Sequence, residues 1–149
     1  MSKKDTINYI LTHCGTLKER EFLTILCDET TKDLARTFND EAKNITQDVK
    51  LIEVGLVQRH GQEPAPNVRE IMMKSDLIIS LCKYSLAHTK ARIEAAGRGA
   101  RFLSMPFYSW DLLDDPAINC DYKKKAPLVR KIADIFTNGS SVRVSAESG

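Results

Sequence analysis

Residues 76–106 read DLIISLCKYSLAHTKARIEAAGRGARFLSMP, and the apolar pattern of this stretch decides the fold. Residues 77–82 form a short, almost unbroken apolar run, which is typical of a strand covered on both faces. Residues 85–97 have helical spacing, and residues 101–105 are predicted to form a second strand that Pro106 stops. The predicted helix carries one stripe of side chains, consisting of Leu86, Thr89, Ile93 and Ala96. A strand, a helix and a strand joined by short links predict a right-handed crossover between parallel strands.

The link between the first strand and the helix consists of Lys83, Tyr84 and Ser85. Ser85 is of a residue type that caps helices, so the helix is predicted to begin there, with His88 one turn in. Free amides at a helix start, beside a lysine, favour an anion such as a carboxylate or phosphate. We therefore take Lys83, Tyr84, Ser85 and His88 as candidate ligand-binding residues. The alternative is that Ser85 only caps the helix and Lys83 faces solvent.

The rest of the chain continues the alternation of helices and strands. Before the central stretch, the predicted elements are a helix at 4–14, a strand at 22–27, a helix with Leu34, Phe38, Ala42 and Ile45 on one stripe, a strand at 49–57, and a short helix carrying Val68, Ile71 and Met72 inward. After it, a long helix is predicted at 121–137, with its regular part starting near Ala126 and with Leu128, Ile132, Ile135 and Phe136 inward. A last edge strand is predicted to hold Val142 and Val144. This order predicts an α/β fold, a three-layer α/β/α sandwich with a mostly parallel, about five-stranded sheet of Rossmann or flavodoxin-like type.

Composition limits the classes of function. The 149 residues suit one domain, and a net charge of +2 with scattered Lys and Arg gives no reason to expect nucleic acid as a partner. No apolar run is long enough to span a bilayer, so no membrane partner is expected. The four cysteines form no CxxC pair, and the start MSKKDTINYI lacks a signal-peptide core, so we expect a reducing cytoplasmic location.

Two other loops at predicted strand ends carry polar residues. Asp28 and Glu29 are adjacent, so in an extended segment their side chains point apart, and a capping or solvated role is expected rather than a shared metal. The loop at 58–66 holds His60 and Glu63. The three histidines lie in different elements, and the chain has no HExxH, P-loop or correctly placed GxGxxG motif, so no catalytic residue and no metal ligand is assigned.

The string KYSLAHTKAR at 83–92, followed by GAR at 99–101 and SMP at 104–106, resembles the amino-terminal domain of the aminopeptidase T family. These proteins are leucyl aminopeptidase-like metallopeptidases. A branch of ring-opening dihydroxypyridine dioxygenases shares their architecture. The resemblance runs from about residue 7 to the end of the chain.

The resemblance implies a longer, two-domain parent protein. The family's metal ligands lie in its carboxy-terminal domain, so this chain is expected to hold no cofactor itself, to form the scaffold and cleft wall, and to be inactive alone. The expected partners are that carboxy-terminal catalytic domain, which carries a divalent metal, and a second copy in a homodimer. Two alternatives remain open: the same domain of a ring-opening dioxygenase, and a stand-alone α/β module that binds a small anion or a partner. Paired metal ions would indicate the peptidase, and a single iron the dioxygenase.

Overall fold

The computed structural model describes residues 2–55, 57–118 and 120–147. The chain divides into two compact units, Met1–Asn119 and Cys120–Gly149. Along the first unit the elements are α1 Lys3–Tyr9, which continues as a π-helical turn Ile10–Cys14, β1 Leu23–Cys27, a 3-10 turn Glu29–Thr31, α2 Lys32–Ala42, β2 Val49–Glu53, α3 Pro66–Met72, β3 Leu77–Ser80, α4 Lys90–Gly97, β4 Arg101–Ser104 and a second 3-10 turn Leu112–Asp114. The second unit contains α5, Tyr122–Asn138.

The sheet is parallel throughout, with strand order β2-β1-β3-β4. Leu23 of β1 is in register with Val49 of β2 on one side and with Leu77 of β3 on the other. Leu77 is in turn paired with Arg101 of β4. The predicted α/β class and parallel sheet are therefore confirmed, with four strands in place of about five.

Alternate residues of the central strands build two apolar layers. Ile25 and Ile79 face the layer that contains α1 and α2, whereas Leu26 and Ile78 face the layer that contains α3 and α4. All four of these strand residues are fully buried. Because both faces of β1 and β3 are covered, these strands read as continuous apolar runs, and the molecule has the three layers that the sequence predicts.

The helix after β3 begins later than predicted. Its first residue is Lys90 and its N-cap is Thr89, whose hydroxyl accepts from the Arg92 amide at 3.2 Å. The prediction that Ser85 caps this helix is thus wrong, because both residues are good caps by type and contacts elsewhere select Thr89. The later start also changes the buried stripe: Ala91 and Ala95 are buried, while Ile93 is 58% exposed.

The carboxy-terminal region differs from prediction in three ways. Val142 and Val144 are exposed and lie outside any strand, since an alternating pair of residues forms no strand without a neighbour to bond with. Pro127 lies inside α5, because the side chain of Asp121 already caps the helix by accepting from the Lys124 amide at 3.1 Å. The four apolar residues predicted to point inward are all exposed, namely Leu128, Ile132, Ile135 and Phe136. Helical periodicity defines an apolar face but not whether anything covers it.

Of the helices in the described parts of the chain, none combines the length and apolar character needed to cross a membrane.

Candidate functional site at the carboxyl edge of the sheet

The strand order creates a crevice at one place on the sheet. The chain leaves β1 toward β2 on one side, and β3 lies on the other side of β1. In open parallel sheets, ligands bind outside the carboxyl ends of the strands at such a switch point. We call the residues that follow Cys27, Glu53, Ser80 and Ser104 the carboxyl edge.

Asp28 joins the two sides of the switch point. One carboxylate oxygen accepts from the amide and hydroxyl of Thr30, at 3.0 and 2.6 Å. The other oxygen accepts from the amide of Lys83 at 2.5 Å. The residue is only 7% exposed. The expected capping role of Asp28 is confirmed, and its bond to Lys83 adds a tie between β1 and the segment after β3 that no local pattern signals.

Ser85 is held by its neighbours at the carboxyl edge. Its amide donates to His60 Nδ1 at 3.0 Å, and its carbonyl accepts from the Gly61 amide at 2.9 Å. Its hydroxyl lies 2.9 Å from that of Ser104 and accepts from the Ala87 amide at 3.1 Å. Since His60 Nδ1 accepts, the proton of the neutral ring is on Nε2, which leaves that nitrogen as a donor.

The first amides of α4 are occupied by a carboxylate of the chain itself. Glu63 accepts from the Lys90 amide at 2.6 Å and from the Ala91 amide at 3.2 Å. A side-chain carboxylate thus occupies the actual start of this helix. At the predicted start, the Ser85 amide is bonded to His60 and the Ala87 amide to the Ser85 hydroxyl. His88 is exposed in the turn before α4, beside Gly61, instead of one turn into the helix.

Three aromatic rings meet at the carboxyl edge. The ring centroids of His60 and Tyr84 are 5.3 Å apart, and that of Phe107 lies 5.8 and 6.0 Å from them. The ammonium of Lys83 lies 5.6 Å from the Tyr84 ring centroid, within the range of a cation–π contact. Phe107 has a left-handed backbone, with φ of 55°, and is 55% exposed. Strained conformations of this kind cluster at functional sites, and Phe107 is a residue that sequence reasoning missed.

Lys83 lines two of the cavities that open at this edge. The larger has a volume of about 430 Å³, and its lining includes Asp28, Glu29, Glu53, Lys83 and Tyr84. The smaller, of about 240 Å³, is lined by Thr30, Thr31, Lys83, Phe107 and Tyr108. Of the predicted ligand-binding residues, Lys83 and Tyr84 therefore line a cavity. Ser85 is hydrogen-bonded to Ser104, and His88 lies in the turn that precedes α4.

Charge divides the two cavities. Carboxylates line the larger one, and that of Glu53 is paired with Lys32 at 2.6 Å. Among the residues that line the smaller one, Lys83 is the only one of the types Lys, Arg, His, Asp and Glu. The larger cavity is thus lined by carboxylates as well as by Lys83, whereas the smaller cavity is lined by Lys83 without a carboxylate.

The cysteines near this edge are not poised for nucleophilic chemistry. Burial raises the pKa of Cys27 to about 11 and that of Cys82 to about 12, so both thiols stay protonated at neutral pH. Within residues 2–55, 57–118 and 120–147, no three His, Cys, Asp or Glu side chains are grouped so as to hold a metal ion.

Comparison of this chain with protein-family models, with curated proteins and with solved structures gives no match.

Proposed function

We propose that this chain is the scaffold and cleft-forming domain of a leucyl aminopeptidase-like metallopeptidase and is not catalytic by itself. The observation that supports the proposal is the position of the KYSLAHTKAR segment at the carboxyl edge, next to the larger cavity. Its backbone is fastened by Asp28 at Lys83 and by Glu63 at Lys90. A cleft wall has to hold its shape while substrate binds, and two carboxylate–amide ties supply that rigidity.

In this proposal the chemistry is divided between two domains. Lys83 and Tyr84 contribute a cation and an aromatic ring to the cleft, and the carboxy-terminal catalytic domain contributes the divalent metal and the groups that activate water. That domain and a second copy of the protein are the proposed partners, in the cytoplasm. The tied backbone of Lys83 keeps its side chain at the cleft regardless of what the other domain does.

The experiment is to purify the natural gene product without chelators and to measure its length, its metal content and its hydrolysis of leucyl anilides. The polypeptide of residues 1–149 is assayed beside it. We expect metal-dependent hydrolysis by the natural product and none by residues 1–149. Hydrolysis by residues 1–149, or none by the natural product, would contradict the proposal. A single iron with ring-opening activity would assign the protein to the dioxygenase branch.

A second candidate is a stand-alone module that binds a small ligand. It is favoured by one observation: the residues that line both cavities belong to one compact unit, so a ligand site there needs no second domain. A natural product that ends with this chain, binds a small ligand at the carboxyl edge and hydrolyses nothing would favour the module over the metallopeptidase.

A further inference from the structure

We infer that the smaller cavity binds a small aromatic carboxylate, with its ring against Phe107 and its carboxylate on the ammonium of Lys83. All of the groups involved belong to the Met1–Asn119 unit. The inference therefore does not rest on the metallopeptidase role, and it names a ligand class and a site that the proposed function does not.

The charge of the site comes from Lys83. Its ammonium forms no ion pair with any carboxylate in the described parts of the chain. The ammonium lies 5.6 Å from the centroid of the Tyr84 ring. The hydroxyls of Thr30 and Thr31, which also line the cavity, donate to Asp28. Of Thr30, Thr31 and Lys83, only Lys83 therefore has a side-chain donor available for an anionic ligand.

The anion is a carboxylate and not a phosphate. Phosphate sites in parallel sheets use several free amides at a helix start. Here the Thr30 amide after β1 is bonded to Asp28, and the Lys90 and Ala91 amides at the start of α4 are bonded to Glu63. A single ammonium matches a monoanion, because a phosphate dianion would meet only one positive charge among the residues that line this cavity.

The ring position comes from Phe107. Phe107 stays 55% exposed on a left-handed backbone, and its ring centroid lies 5.8 Å from that of His60 and 6.0 Å from that of Tyr84. An exposed ring held in a strained conformation offers a stacking partner to a second ring. The volume of about 240 Å³ is below the range of about 300–1,000 Å³ that drug-sized ligands occupy, so one six-membered ring with one carboxylate fits.

The test is a two-dimensional ¹H–¹⁵N NMR titration of residues 1–149 with benzoate, benzyl alcohol, acetate and inorganic phosphate. Benzoate should shift the amides of Lys83, Tyr84 and Phe107, and it should bind about tenfold more tightly than benzyl alcohol or acetate. Benzyl alcohol keeps the ring without the charge, and acetate keeps the charge without the ring. Equal binding of benzoate and phosphate would overturn the inference, as would the absence of shifts at these amides.

Variants separate the two contacts. Lys83→Met and Phe107→Asn should each weaken benzoate binding about tenfold, and Asn is chosen because it tolerates a left-handed backbone. The matched controls are Lys90→Met, on an exposed lysine of α4, and Phe136→Ala, on an exposed ring of α5. Well-dispersed spectra establish that each variant is folded. Unchanged affinity in Lys83→Met or Phe107→Asn would refute the site, and a loss in either control would show that the effect is not specific.

Discussion

At the residue scale, Asp28 holds the switch point together, since its two oxygens bond to opposite sides of it. Asp28→Asn would remove the charge and turn one oxygen into an amide donor that faces another donor. We expect the free energy of unfolding to fall by about 1.5–3 kcal/mol, as for other buried hydrogen bonds to charged groups. Urea unfolding measures the change. Glu29→Gln, on the exposed neighbour, is the control, and an equal loss in both variants would contradict this role of Asp28.

Glu21 gives a pH-dependent prediction at the same scale. The hydrogen bonds from the Arg101 guanidinium, at 3.0 and 2.6 Å, hold the pKa of the Glu21 carboxyl below its usual value. This stabilisation is complete above the unfolded pKa of about 4.3 and is lost as pH falls through the lower folded pKa.

Glu21→Gln should therefore destabilise the protein by about 1–2 kcal/mol at neutral pH, with allowance for the partial exposure of Arg101. The difference between variant and wild type should shrink as the pH falls through the lowered folded pKa of Glu21, because wild-type Glu21 then becomes protonated as well. Urea unfolding at neutral pH and at a series of acidic pH values checks this, with Glu19→Gln on an exposed glutamate as the control. A difference that does not depend on pH would show that the ion pair is not its source.

At the scale of elements, the N-cap of α4 is Thr89 and not the predicted Ser85. Thr89 caps this helix, and its own hydroxyl donates to the Leu86 carbonyl at 2.7 Å. Thr89→Ala should cost about 1–2 kcal/mol of stability because it removes a buried cap. Thr37→Ala is the matched control, on a threonine inside α2 whose hydroxyl bonds to the Asp33 carbonyl, and it should change stability little. Similar losses in both would argue against the cap at Thr89.

Strands β1 and β3 were predictable because each has a local cause, whereas β2 ends at Glu53 and not at residue 57 as predicted. The apolar runs at β1 and β3 reflect burial on both faces, and their bounds differ from prediction by one or two residues at an end. The start of α4 was not predictable because Glu63, 27 residues before Lys90, helps to select it. Lys83 and Tyr84 could be named as candidate site residues because they directly follow a strand. Phe107 could not, since its backbone conformation and ring contacts come from tertiary structure.

At the scale of the whole molecule, α5 is predicted to be dispensable for folding of the first unit. None of its described residues is buried, including the apolar stripe that contains Leu128 and Ile132. A polypeptide of residues 1–119 should therefore unfold cooperatively, with a urea midpoint close to that of residues 1–149. Loss of cooperative unfolding in the shorter chain would show that the first unit depends on the second.

The central claim is that the segment beginning at Lys83 forms a wall of an active-site cleft. The most direct measurement is kcat/KM of the natural gene product on a leucyl anilide for Lys83→Ala and His88→Ala, with Lys74→Ala, on an exposed lysine outside that segment, as the control. We predict a loss of about tenfold for Lys83→Ala, a smaller loss for His88→Ala and none for the control, because charges are screened less in a cleft that excludes water. Unfolding midpoints should stay the same, since all three side chains are exposed. Unchanged kcat/KM for both Lys83→Ala and His88→Ala would contradict the claim.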